Sequence, residues 1–239
     1  WKELGKINGK EYIVKTIVTT ETIKTIAERN GVEMYDVYTG FKWIANVMRE
    51  NEGKKNYIGG GEESYGFLCE DFVRDKDAVS ACVILAEIAA WAKDQGLSLY
   101  QLLQKIYVEY GFSKEKGISV VKKGKSGAEE IEAMMKKFRE NPLTEIAGSK
   151  VTYFYDYSTL KGKDYAENET VTLDMPTTSN VLQYFTEDNT KVSIRPSGTE
   201  PKIKFYCEVH SKVKSIDELP EAEKAAEEKI NQIKASLGI

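Results

Sequence analysis

The sequence predicts two unlike domains: an α/β layered domain with a mixed sheet and helices on both faces, then an α+β domain with a mostly antiparallel sheet and helices on one face. Three observations predict this. In the first 110 residues, short β-branched runs alternate with stretches of helical period. From residue 151 onward, strand-like runs follow one another across Gly, Asp and Asn turns, as in an antiparallel meander. Between the two, residues 111–127 hold five lysines and four glycines, a change of composition that marks a boundary. The domains are placed at 1–110 and 111–239.

In chain order, residues 12–19 (YIVKTIVT) are mostly apolar and β-branched, as in a strand covered on both faces. Residues 21–29 form a helix with Ile23, Ile26 and Ala27 on one side, stopped by Asn30-Gly31. A second strand at 34–38 runs into the turn Thr39-Gly40-Phe41-Lys42, which opens a helix with Ile44, Val47 and Met48 on its apolar side. A turn at a strand's end is where open α/β sheets place ligand contacts. A third strand at 56–58 leads to Gly59-Gly60-Gly61-Glu62-Glu63-Ser64-Tyr65-Gly66. Asp75 or Asp77 then caps a helix at 78–93 that is apolar on most sides and is expected to be buried between layers. Ser98 caps the next helix, with Leu99, Leu102, Leu103, Ile106 and Tyr110 on one stripe, and Gly111 ends it.

The second domain opens with a linker and a short, partly exposed strand at 118–121. Residues 128–141 are an amphipathic helix through Ile131, Met134, Met135 and Phe138, stopped by Pro142, and the Met pair reads as core packing. Strands follow at 151–157, 170–173, 180–185 and 192–194. Residues 202–210 alternate Ile203, Phe205, Cys207 and Val209 against polar neighbours, the pattern of a half-buried strand. Pro220 starts the last helix, with Ala222, Ala226, Ile230, Ile233 and Leu237 towards the sheet. His210, the only histidine, falls on the polar face and reads as solvated.

Two loops carry chemistry. In Arg195-Pro196-Ser197-Gly198-Thr199-Glu200-Pro201 the prolines stiffen the bend, Gly198 permits φ > 0, and hydroxyls and amides stand beside an arginine fork that fits two phosphate oxygens. The natural guest is a phosphate monoester; a plain hairpin turn is the alternative, because turns use the same residues. The glycine-flanked loop at 59–66 offers two carboxylates and a hydroxyl, suited to sugar hydroxyls and repellent to phosphate. Its alternative is an acidic surface loop. Arg74 and Lys76 either salt-bridge to that loop or reach a bound phosphate.

The totals fit such a reading. A net charge of −4 excludes bulk attraction to nucleic acid or anionic lipid, so an anion must be held at a local site. The lysines at 114–125 have no interleaved aromatics on which bases could stack. Three cysteines far apart make neither a disulfide framework nor a zinc spacing, and suggest a reducing cytoplasm. No run approaches the about 18 apolar residues of a membrane span, and the first residue, Trp1, suggests a fragment.

Glu62-Glu63-Ser64-Tyr65-Gly66, then Arg74-Asp75-Lys76-Asp77, then Arg195 to Pro201 together resemble the α-D-phosphohexomutases, most of all the bacterial phosphoglucomutase/phosphomannomutase kind. The resemblance covers nearly the whole chain and implies the third and fourth of the family's four domains, the third lacking its start. It implies that Glu62, Ser64, Gly40, Lys42 and Lys76 serve the sugar, and that Arg195, Ser197, Gly198 and Thr199 hold its phosphate. It also implies a phosphoserine nucleophile and a Mg²⁺ loop in the missing N-terminal domains, a hexose 1,6-bisphosphate activator, and closure through a hinge near 111–117. The chain alone should then be inactive and bind no cofactor; its partners would be the phosphosugar and the missing domains, with no nucleic acid and no membrane. A non-enzymatic phosphosugar-binding module and a phosphopentomutase of the same family are the alternatives.

Overall fold

The computed structural model describes residues 1–239 except Lys123, Thr199 and the side chain of Lys125. It divides into two compact units, Trp1–Gly111 and Phe112–Ile239.

The first unit is built on β1 (Glu11–Thr16), α1 (Thr22–Arg29), β2 (Glu33–Val37), α2 (Phe41–Asn51), β3 (Asn56–Gly61), β4 (Phe67–Cys69), α3 (Ala78–Asp94) and α4 (Leu99–Tyr110). The sheet order is β2-β1-β3-β4; β1 pairs in parallel with both neighbours, and β4 returns antiparallel to β3. The chain steps from β1 to β2 in one direction and from β2 to β3 in the other. Right-handed crossovers therefore put α1 and α2 on opposite faces. Beneath α2, Tyr12, Val14, Val37 and Tyr57 pack with Phe41, Ile44 and Met48. Full burial of a side chain such as Ile44 contributes about 1.5–3 kcal/mol.

The opposite face carries a charge. Lys15 is fully buried, and its ammonium meets Asp36 at 2.6 Å and Glu21 at 3.0 Å, so it is paired rather than stranded. Asp77, not Asp75, caps α3 by accepting from the amides of Val79 and Ser80, and Ser98 with Gln101 makes a reciprocal capping box on α4. The expected burial of α3 is not found, since Ala92 is its only buried residue. The reason is its support: α3 lies against β4, an edge strand of three residues, and against α4.

The second unit contains β5 (Phe112–Val121), α5 (Gly124–Glu140), β6 (Glu145–Ile146), β7 (Ser149–Asp156), β8 (Lys161–Asp164), β9 (Glu169–Thr172), β10 (Leu182–Thr186), β11 (Lys191–Pro196), β12 (Lys202–Ser211) and α6 (Leu219–Leu237). The sheet runs β5-β12-β11-β10-β7-β8-β9, with β6 on β7, and every pairing is antiparallel. Residues 112–117, read from sequence as linker and hinge, are ladder instead, because Gly117 pairs with Tyr206 inside β5. Phe205 points at the helical layer, its ring 6.3 Å from that of Phe138 on α5, while Ile230 and Ile233 of α6 are buried.

β12 is covered more fully than its alternation suggests. Glu208 is buried on the outer side, where Lys191 meets its Oε2 at 2.9 Å and His210 Nε2 its Oε1 at 2.7 Å. His210 is thus part of a buried polar network and not a solvated residue.

Candidate functional site

In the first unit the candidate residues collect at the carboxyl edge of the parallel strands. α2 begins there with Gly40 at φ 121°, a conformation that suits glycine, and the Gly40 amide donates to Glu62 Oε1 at 2.6 Å. The Glu62 carboxylate is therefore held at the N-terminus of α2. Glu63 accepts from Thr16 at 3.3 Å and from Ser64 Oγ at 3.1 Å, and the Thr16 and Thr19 hydroxyls lie 2.9 Å apart. Neither threonine was among the residues singled out from sequence, and only the parallel pairing of β1 with β3 brings them to the loop.

Lys76 belongs to the same edge. The Asp77 amide donates to the Phe67 carbonyl, and Phe67 pairs with Gly61 at the end of β3. Lys76 Nζ stands 5.8 Å from the centre of the Phe41 ring, next to Gly40, and 3.2 Å from the Asp75 carboxylate. Lys42 Nζ lies 5.0 Å from the Trp43 ring centre. Arg74 instead pairs with Glu52 at 3.0 Å, which takes it out of the group.

The glycines of this loop do not leave room for a ligand. A Cβ on Gly60 would fall 2.4 Å from the Val14 carbonyl, one on Gly61 2.6 Å from the Gly66 carbonyl, and one on Gly66 2.9 Å from Glu62 Oε2. The chain itself fills that space, and the glycines allow it to fold back tightly enough to aim Glu62. Tyr65, at the tip, is fully exposed at φ 58°, an uncommon conformation for an aromatic residue.

The second loop closes the β11–β12 hairpin. The Ser197 amide donates to the Lys202 carbonyl at 2.7 Å and the Lys202 amide to the Glu200 carbonyl at 2.7 Å. The Ser197 amide is thus spent within the loop. Gly198 does not adopt positive φ, and a Cβ there would meet nothing within 4 Å. Unlike the glycines around Glu62, this one opens space. Thr199 lies outside the described residues. Arg195 faces Lys204 directly across the ladder, so two cations stand side by side, and Lys202 holds the exposed Glu200 carboxyl below its ordinary range by a 2.7 Å contact.

Beside this loop is an open pocket of about 580 Å³ lined by Pro196, Ser197, Gly198, Pro201 and, from elsewhere, Ala128, Ile131 and Glu132 of α5 and Asn180. Glu132 and Asn180 carried no signal in the sequence. Lys122 anchors the rim through its amide on the Pro201 carbonyl at 2.9 Å. Among the described residues no group of three or more His, Cys, Asp or Glu could hold a metal ion, and no helix is long and apolar enough to cross a membrane.

Comparison with known proteins adds the following. Residues 1–110 match the family model described as phosphoglucomutase/phosphomannomutase, alpha/beta/alpha domain III, and residues 119–226 match the C-terminal domain of the same family. The phosphoglucomutase of Staphylococcus haemolyticus (strain JCSC1435) is 35% identical over 208 residues, 87% of this chain and 38% of its own length. That of Staphylococcus aureus (strain bovine RF122 / ET3-1) is 40% identical over 194 residues, 81% of this chain and 35% of its own. The chain thus spans well under half the length of these curated relatives. Among solved structures, the Paramecium phosphoglucomutase pp63/parafusin aligns with a TM-score of 0.56 at 19% identity, over 85% of this chain and 33% of that one. A phosphoglucomutase/phosphomannomutase family protein of Burkholderia thailandensis aligns at 0.55 and 16%, over 99% of this chain and 40% of that one. These two likenesses bear on the fold alone.

Proposed function

Because the chain belongs to the phosphoglucomutase/phosphomannomutase family, we propose that it is the substrate-binding part of a phosphohexomutase that interconverts hexose 1-phosphate and hexose 6-phosphate. The observation that carries this reading is the contrast between the two glycine-containing loops. One is folded tightly to aim a carboxylate; the other is left open beside an arginine and a pocket. A sugar phosphate has two chemically different ends, and these loops match them.

In this reading Glu62 accepts from sugar hydroxyls while the Gly40 amide holds it in place, and Ser64 adds a hydroxyl. Lys42 and Lys76 supply positive charge along the same edge. Arg195 grips the phosphate with its fork, and the Ser197 hydroxyl, Gly198 and Thr199 complete the cradle. Few contacts suffice, because a mutase must accept its sugar in two orientations and can hold only what both share. The phosphoserine, the Mg²⁺ that offsets charge on the transferring phosphoryl, and priming by a hexose 1,6-bisphosphate are assigned to residues outside this chain. Domains at 1–110 and 111–239, with a cytoplasmic site of action, complete the proposal.

The test is a coupled assay for glucose 6-phosphate with glucose 1-phosphate as substrate. Full-length protein primed with glucose 1,6-bisphosphate in Mg²⁺ should turn over, and the 239-residue chain should not. Turnover that follows the purified chain would mean that it contains its own nucleophile and that this division of labour is wrong.

A further inference from the structure

Thr16 stands where packing alone would be served by valine. It is the last residue of β1, paired with Val37 of β2, and the alternation of the strand puts it on the same face as Tyr12 and Val14, which pack beneath α2. Thr16 is fully buried, so its hydroxyl costs stability unless it is hydrogen-bonded. The partner it reaches is a carboxylate of the sugar loop, with Thr16 Oγ1 3.3 Å from Glu63 Oε2.

The protons along this chain of oxygens can be assigned, because a carboxylate only accepts and a hydroxyl has one proton to give. Thr16 donates to Glu63 Oε2, so the 2.9 Å contact between the Thr16 and Thr19 hydroxyls is made with the Thr19 proton. A turn in which the Thr19 amide donates to the Thr16 carbonyl at 2.9 Å keeps those two hydroxyls together. On the other oxygen of the same carboxylate, Glu63 Oε1 takes the Ser64 proton at 3.1 Å. Ser64 is exposed, and Glu63 is what orients its hydroxyl. Its lone pairs are then left for a ligand, while its proton is committed.

The two neighbouring carboxylates are thus tied to different parts of the fold. Glu62 is tied to the start of α2 through the Gly40 amide, and Glu63 to the end of β1 through Thr16. We propose that Thr16 is a positioning residue for the sugar loop: backed by Thr19, it fixes Glu63 so that Ser64 meets the sugar as a hydrogen-bond acceptor. With Glu62 an acceptor as well, the pair selects sugar hydroxyls that donate. An analogue lacking the donor is rejected, because the acceptors it covers are left unpaired. The inference rests on the assignment of this loop to the sugar.

The test is titration calorimetry on full-length protein with glucose 1-phosphate and with inorganic phosphate. Thr16→Val keeps the shape and removes the proton, and should weaken glucose 1-phosphate roughly three- to tenfold while sparing inorganic phosphate. Thr16→Ser keeps the hydroxyl and removes the methyl, and should bind glucose 1-phosphate within about twofold of the parent protein. A residue needed only for packing behaves the other way, since valine fills the site and serine leaves a void, and that result would overturn the proposal. In a Ser64→Ala background Thr16→Val should cost less than about twofold, because the hydroxyl it positions is gone; persistence of the full loss would also overturn it. The deoxy analogue of glucose 1-phosphate whose deficit disappears in Ser64→Ala identifies the hydroxyl that Ser64 meets. Its deoxyfluoro counterpart, which accepts but cannot donate, should bind as poorly, and binding like glucose 1-phosphate would show that Ser64 donates, against the proposal. If Ser64→Ala, Glu62→Gln and every deoxy analogue leave affinity unchanged, the assignment of the loop to the sugar fails and the inference falls with it.

Discussion

Arg195→Ala separates a phosphate-binding arginine from a turn residue, because the two roles move stability in opposite directions. Arg195 lies directly across the ladder from Lys204, so their side chains share one face of the sheet. Like charges so placed destabilise a strand pair, and relieving the repulsion should return roughly 0.2–1 kcal/mol. A hydrogen bond from a charged group to an anion is worth about 1.5–3 kcal/mol, which corresponds to a loss of roughly ten- to 150-fold in affinity when it is removed. The variant should therefore bind inorganic phosphate and glucose 1-phosphate far more weakly while its melting midpoint holds or rises by roughly a few degrees. Arg195→Lys keeps the charge but not the fork and should fall between. Titration calorimetry and thermal denaturation on the 239-residue chain and on full-length protein read both quantities. Unchanged affinity in both forms, or a loss of more than about 1 kcal/mol of stability, would show that the arginine serves the hairpin and not a ligand.

Gly198→Ala, at open space and ordinary φ, should leave the melting midpoint alone and weaken phosphate binding by steric exclusion; a variant that binds phosphate normally would remove Gly198 from the cradle. Gly60→Ala should behave oppositely, destabilising the first unit by roughly 1–3 kcal/mol because its methyl falls 2.4 Å from the Val14 carbonyl, as chemical denaturation would report. Glu62→Gln should reduce affinity for glucose 1-phosphate and spare inorganic phosphate, and equal losses for both would place Glu62 on the phosphate. Acid should destabilise both units. Burial alone would raise the carboxyls of Glu11 and Glu208, but hydrogen bonds from Asn56 and from the Asn8 and neighbouring amides bring Glu11 down to about 2, and His210 with Lys191 holds Glu208 well below its ordinary range. A carboxyl depressed on folding stabilises above its unfolded value, near 4.5, and loses that contribution as pH falls towards the folded one. Melting midpoints should be flat from pH 7 to 5 and drop from there to pH 2, and Glu11→Gln or Glu208→Gln should flatten the drop.

The sequence by itself determined the two-domain division between element types, most strands and helices, and the position of the two loops proposed as the site. Those signals are local. The run YIVKTIVT, the Gly40-Phe41-Lys42 turn, the alternation of Ile203, Phe205, Cys207 and Val209, and the residues from Arg195 to Pro201 each constrain φ, ψ and burial within a few positions. Three short strands, β4, β6 and β8, escaped because they pair through two to four residues and have no period of their own. What only the tertiary structure decided depends on residues far apart in the chain. The Gly40 amide reaches Glu62, Thr16 reaches Glu63, and Glu132 and Asn180 line the pocket beside Ser197, each through pairing or packing that no local pattern encodes. The same holds for the glycines: composition alone treats Gly60, Gly66 and Gly198 alike, whereas the neighbours that the fold brings within a methyl's reach separate those that close a loop from the one beside open space. His210 and α3 were misread for the same reason, because burial is a property of what lies opposite, and Glu208 lies opposite the one while a three-residue edge strand is nearly all the sheet that lies beneath the other.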